Sequence, residues 1–214
     1  MIVMEYNSRQ QIFEKIRQDI MDGKYKKGDT LIEQKLAEEF GVSRTPVREA
    51  MRQLEFDGLV KSIPNRGVFV NGITHQDIED IYQIRQRIEG LAAVWAVQKM
   101  TEDEMEELQN IYDLMEFYTE KGNIDKVAEL NTYFHEVIFK AAKSKFLKKT
   151  LINFQAYIQW ARYASIKIEG RAQVALREHK SIVEAFRKKD EFLAERLIME
   201  HVGNSIKNLE HVKK

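Results

Sequence analysis

Two sets of residues in this chain have the types and spacing to do chemistry. Arg44, Arg48 and Arg52 repeat every four positions, so on a helix they share one face. A guanidinium is a planar fork, and the O6 and N7 of guanine in the major groove accept the two hydrogen bonds it donates. Arginines at this spacing are by themselves more often the mark of a solvated helix face, so their surroundings must decide. The second set is histidines. Of His75, His135, His179, His201 and His211, the middle three stand where a helical pattern would place an aliphatic residue. His135 shares a stripe with Ile124, Ala128, Asn131, Ile138 and Ala142, His179 lies between Ala175, Ile182 and Phe186, and His201 lies among Ala194, Leu197, Ile198 and Val202. All three are expected to point inward. One such histidine is ordinarily a satisfied core residue, but burying three imidazoles is costly unless each finds partners, and a shared metal accounts for all of them at once. Asn131 lies four residues before His135, on the same helical face, and can offer an amide oxygen to the same ion. His75 and His211, beside a linker and the C-terminus, are expected in solvent.

These side chains need elements to hold them. Between residues 8 and 21, Ile12, Phe13, Ile16 and Ile20 follow helical spacing, with Ser8 and Gln11 set as a capping box. A turn-rich break at 23–29 precedes a short helix, 33–40, that carries Leu36, Ala37 and Phe40 on one face and stops at Gly41. Ser43 is placed to cap a third helix, 44–57, in which Pro46 sits in the first turn, where it removes no needed hydrogen bond. There Val47, Ala50, Met51 and Leu54 form an apolar arc beside the arginines. Two β-prone runs, 59–63 and 68–70, flank Pro64-Asn65-Arg66-Gly67 and read as a hairpin. Three helices and a hairpin make a winged helix-turn-helix. In that setting Ser43, Thr45 and the N–H groups of the third helix would fix phosphates, and Arg66 with Gly67 would probe the minor groove.

After residue 72 the pattern is helical almost throughout, at 77–99, 102–120, 124–142, 145–169, 171–188 and 190–211, with Thr74/Asp77 and Thr101/Glu104 as capping boxes. The fold class expected is mainly α: an N-terminal winged helix-turn-helix with a small β-hairpin wing over 1–72, then an all-α bundle over 73–214. The 214 residues carry 34 Lys plus Arg against 34 Asp plus Glu, so any charged partner must be met locally rather than by gross charge. The absence of cysteine leaves imidazole and oxygen as the ligands for a transition metal. The longest apolar run, 91–97, is far short of the ~20 residues of a membrane span, and nothing directs the chain out of the cytoplasm.

The stretch LIEQKLAEEFGVSRTPVREAMRQLEFDGLVKSIPNRGVFV resembles the winged helix of the GntR family of bacterial transcription regulators over about residues 8–72, with Met51 where leucine is common. The later helices, with IYQIRQRIEGLAA as a second mark, are similar over about residues 75–212 to the FCD ligand-binding domain of the FadR subfamily. The resemblance implies that Arg44 and Arg48 contact bases or nearby phosphates, that Gln34, Ser43 and Thr45 help seat the DNA backbone, and that Gly67 marks the wing tip. It implies further that Asn131, His135, His179 and His201 bind a divalent ion, zinc or nickel foremost, in a cavity that admits a small carboxylate effector. Many relatives carry Asp where this chain has Asn131. A neutral amide leaves the ion its full charge, which weakens the metal and strengthens its pull on an anion. Arg85 and Arg162 are weaker candidates for gripping that carboxylate, a surface salt bridge being the plain alternative. Tyr82, Trp95, Tyr133, Trp160 and Tyr163 are cavity-lining or ordinary core residues. The expected molecule is a homodimer on a palindromic operator, a repressor and not an enzyme. Its rivals are the same regulator with a purely structural metal and, in another class, a metal-dependent hydrolase, against which stands the want of an obvious acidic general base.

Overall fold

The computed structural model describes residues 2–209, with the surroundings of side chains from Arg9 to Lys207 apart from Trp160 and Ala164. His211 and the side chains of Ser8 and Trp160 therefore lie outside the described set. The chain divides into two compact units, one ending at His75 and the other beginning at Gln76.

In the first unit, α1 (Ile2–Met21) precedes β1 (Thr30–Leu31), α2 (Glu33–Phe40), α3 (Arg44–Phe56), β2 (Val60–Ile63) and β3 (Gly67–Val70). Helix α1 begins at Ile2, so Ser8 lies inside it and does not start it as the capping pattern predicts. The core is the set the periodicity picked out: Ile12, Ile16 and Ile20 of α1 against Val47, Ala50, Met51 and Leu54 of α3, closed by Leu31, Leu36 and Val70. Helix α2 ends on Gly41 in the left-handed region, which lets the chain turn directly into α3. Beyond the expected hairpin there is a third strand. The antiparallel sheet runs β1-β3-β2, with Val60 opposite Val70, Ile63 opposite Gly67 and Thr30 opposite Phe69. At the tip, Arg66 N–H donates to the Ile63 carbonyl at 3.0 Å, and Asn65 and Gly67 both take positive φ, 60° and 106°. The Glu55 carboxylate accepts from Ser62 N–H at 2.7 Å and from Ser62 Oγ at 2.9 Å, tying the wing to the end of α3.

The second unit is six helices: α4 (His75–Lys99), α5 (Glu102–Glu120), α6 (Ile124–Ala141), α7 (Lys145–Ile166), α8 (Arg171–Arg187) and α9 (Glu191–Leu209). Their ends fall within a few residues of those expected, α7 stopping three residues early before the Gly170 turn. The Thr101/Glu104 capping box is present in both directions. A continuous core runs through Ala92, Leu108, Met115, Phe134, Ile138, Leu151, Ile182, Phe186 and Ile198. Helices α4 and α9 cross closely. A Cβ on Gly90 would meet Met199 Cγ at 2.9 Å and one on Gly203 would meet Gln86 Nε2 at 2.7 Å, while Gln86 Nε2 donates to the Met199 carbonyl at 2.8 Å. At Gly90 the absence of a Cβ is what leaves room for Met199 and Glu195 of α9 against α4, whereas at Gly203 the atom met is the movable end of Gln86. Among the described residues, no helix is long and apolar enough to cross a membrane.

Candidate metal centre and DNA-reading face

His135 of α6, His179 of α8 and His201 of α9 meet inside the second unit, with one ring nitrogen from each within 4.8 Å of the others. All three are buried. The nitrogens that face outward from this meeting point are held by oxygen. His179 Nδ1 donates to the Ala175 carbonyl at 2.7 Å, His201 Nδ1 donates to Glu178 Oε2 at 2.7 Å, and His135 Nδ1 lies 2.8 Å from Glu89 Oε2 in a close but poorly aligned contact. An oxygen beside each Nδ1 favours the proton there and leaves the Nε2 lone pairs bare. His135 Nε2 and His201 Nε2 then face each other at 3.2 Å, and His179 Nε2 is buried with no partner. Two lone pairs at that separation repel unless a cation stands with them. A proton is a poor one here: burial pushes the His135 imidazolium down to about 4 despite the opposing pull of Glu89, and burial with the other two rings pushes His179 well below its ordinary value. The Asn131 Oδ1 is likewise buried without a partner, and Asn131 lines the same cavity as His135 and His201.

That cavity holds about 20 Å³, room for one water-sized body, and its wall includes Tyr82, Arg85, Arg162 and Arg171. Arg85 pairs with Glu89 along α4 and Arg171 pairs with Glu178 at 2.9 Å, while Arg162 donates to Thr132 Oγ1 at 3.0 Å and makes no ion pair among the described residues, though the charges of Glu89 and Glu136 act on it. Arg162 Nη2, Arg85 Nε and Arg171 Nε and Nη1 are buried without acceptors. Burial, with the charge of Arg85 added, brings Arg162 down to about 10. Burial alone would raise both carboxylates, yet Arg85 holds Glu89 far below the usual range, and His201 with Arg171 holds Glu178 at about 2. Three guanidiniums, Arg85, Arg162 and Arg171, thus line one cavity, with N–H groups on each left without an acceptor among the described residues.

Sequence reasoning brings Asn131, His135, His179, His201, Arg85 and Arg162 to one place but misses Arg171, Glu89 and Glu178. Glu89 stands four residues after Arg85 and Glu178 is next to His179, which were the available signals. The sequence places no acidic residue there as an obvious general base; the structure sets Glu89 and Glu178 against His135 and His201, both engaged behind the rings with arginines. Among the aromatics, Tyr82 lines the cavity, Tyr133 and Tyr163 are exposed, and Trp95 packs at the edge of the main core under Lys99.

On the first unit, Arg44, Arg48 and Arg52 are exposed on one side of α3, with Thr45 beside them. Ser43 occupies the N-cap position, but its hydroxyl makes no capping hydrogen bond, contrary to the expectation of a side-chain cap. The first-turn N–H groups thus lack that acceptor, as a helix start that meets phosphate would. Gln34 is exposed on α2 and donates to Glu38 at 3.2 Å, and Arg66 and Gly67 stand exposed at the wing tip. Arg48 donates to Glu33 through Nε at 3.0 Å and Nη2 at 2.9 Å, Arg44 reaches the same carboxylate at 3.3 Å, and Arg52 pairs with Glu49 at 2.8 Å.

The model of the bacterial regulatory proteins of the gntR family matches residues 8–70, and that of the FCD domain matches residues 80–204. The chain is 32% identical to the HTH-type transcriptional regulator YdhC of Bacillus subtilis over 94% of this chain and 91% of that one. It is 29% identical to the HTH-type transcriptional repressor RspR of Escherichia coli over 95% and 90%. In fold it is similar to E. coli McbR/YncC, with a TM-score of 0.74 at 22% identity over 96% of this chain and 98% of that structure. These relatives are transcriptional regulators, not enzymes. A helix-turn-helix head with its arginines outward, followed by a helical unit of the matching kind, places this chain in the GntR family of bacterial transcriptional regulators, with an FCD domain as its second unit.

Proposed function

We propose that the protein is a homodimeric repressor, of the FadR subfamily, that binds a palindromic operator and answers to a small carboxylate held beside a divalent metal. The observation that carries the reading is the pair of bare Nε2 atoms 3.2 Å apart, with a third unpartnered Nε2 and an orphaned amide oxygen at the same buried place. His135, His179, His201 and Asn131 would hold the ion, with zinc or nickel matching three imidazoles and one neutral oxygen. When bound, the metal supplies a positive charge that attracts a carboxylate oxygen. This chain's residues do the rest: Glu89 and Glu178 aim the imidazoles, Arg85 and Arg162 offer unused N–H donors to the anion, and the small cavity limits its size. On the head, Arg44 and Arg48 reach base edges or adjacent phosphates, Arg52 adds charge, Gln34, Ser43 and Thr45 seat the backbone, and Arg66 with Gly67 meets the minor groove. Acting on DNA, such a protein works in the cytoplasm.

Elemental analysis of protein purified without chelator should find about one divalent ion per chain, and none in a His135→Ala/His179→Ala double variant. Short-chain carboxylic acids added to the metal-loaded protein should then raise its melting temperature and change its affinity for operator DNA. Equal, negligible metal in both proteins overturns the metal reading. Metal without any response to acids leaves a structural ion and overturns the effector.

A further inference from the structure

The arginines of α3 do not stand alone, and the carboxylate that holds two of them comes from the other helix of the helix-turn-helix. Glu33 opens α2, and its side chain is 23% exposed against 47% for Arg48 and 61% for Arg44. Its two oxygens take the Nε and Nη2 side of Arg48 at 2.9–3.3 Å, and a single longer contact of 3.3 Å goes to Arg44. A guanidinium has two edges that can each donate a parallel pair of hydrogen bonds. With the Nε–Nη2 edge on Glu33, the Nη1–Nη2 edge of Arg48 remains, at the outer end of a side chain whose torsions are already set. Arg48 thus has one fork spent on orientation and one fork free.

We infer that Glu33 is a specificity-determining positioning residue: it presents the free fork of Arg48 to a guanine edge while cancelling the charge that would otherwise bind any phosphate. The charge count on the face fits this role. Arg44, Arg48 and Arg52 are opposed there by Glu33 and Glu49, and the whole chain carries a formal net charge of zero. Non-specific attraction to DNA depends on unpaired cations that release counterions, so this face gives up indiscriminate affinity. A bidentate guanine contact depends on aim, and it discriminates against the wrong base by about tenfold to a hundredfold. Arg44, held by one long bond, is the arginine freer to leave Glu33 for the backbone. Hydrogen bonding from Arg48 keeps the Glu33 carboxyl below its ordinary value, so the clamp stays charged under physiological conditions.

This inference rests on Arg48 meeting a base edge, and the test separates the two. Full-length wild type, Glu33→Gln, Arg48→Ala and the double variant are titrated, over a range of salt, on the duplex that wild type selects from a random pool and on a scrambled duplex. Glu33→Gln should lower the selected-to-scrambled affinity ratio by tenfold or more, chiefly by tightening the scrambled complex. It should also steepen the salt dependence on scrambled DNA by about one released counterion. In the Arg48→Ala background, where only the longer Arg44 bond is left to lose, both changes should be clearly smaller than in wild type. An unchanged ratio and slope in Glu33→Gln, a loss that persists undiminished without Arg48, or weaker binding to both duplexes with a lowered melting temperature overturns the inference. Equal weakening of all duplexes by Arg48→Ala overturns the base-edge reading beneath it, and the inference with it.

Discussion

Glu178 serves three neighbours at once. It accepts from His201 Nδ1 at 2.7 Å, from Arg171 at 2.9 Å and from Asn204 Nδ2 at 2.9 Å. Its hydrogen bond to His201 Nδ1 fixes which nitrogen faces the proposed ion, so Glu178→Gln should weaken metal binding by about 10- to 100-fold with the fold retained. A chelator competition titration, with circular dichroism as the control, measures it; an unchanged affinity shows that the carboxylate does not tune the centre. The histidines were legible in the sequence because an imidazole at an aliphatic position is conspicuous. Glu178 and Glu89 were not, since each is one of 34 acidic residues and nothing local separates a carboxylate turned inward from one in water. Arg171 escaped for the same reason, its burial being decided by α8 packing beside α9 rather than by its own neighbours in sequence.

At the scale of elements, helix starts were readable wherever a side chain closes its own bond. Thr101 Oγ1 accepts from Glu104 N–H at 3.2 Å and Glu104 returns the bond to Thr101 N–H at 3.1 Å, which the spacing of the two residues predicts. Thr101→Ala should cost about 1 kcal/mol of stability in denaturant unfolding. Burial alone would raise the Glu104 carboxyl, but Lys143 and the Thr101 bonds lower it below its ordinary 4.5. A carboxyl so depressed adds stability that is full above about 4.5 and is lost as pH falls through its lower folded value. Glu104→Gln should therefore lower stability near neutrality and flatten the acid limb of the stability curve, the two proteins converging at low pH. Strand β1 went unread because two residues carry no alternation, and its pairing with β3 is settled by distant residues. Ser43 was read as a closed cap, and its side chain makes no cap hydrogen bond, since residue type sets the N-cap position but not where the hydroxyl turns.

For the whole molecule, the division into two units with separate cores has a measurable meaning. A ligand stabilises what it binds in the folded state, by about 2.7 kcal/mol when present at 100 times its Kd. Amide hydrogen exchange with and without zinc should therefore show slower opening in α4, α6, α8 and α9 and unchanged rates in α1, α2 and α3. Equal slowing in the head would mean that the two units open together.

The approach of α4 to α9 at Gly90 and Gly203 bears on how such a sensor could be retuned. Gly90 does not line the cavity, yet it governs how near α4, which carries Arg85 and Glu89, stands to α9. A methyl there would act as a spacer, widening the chamber from outside while every lining residue keeps its identity. Selectivity of the proposed site could therefore drift through the thickness of a helix crossing, without a single change among the groups that face the cavity.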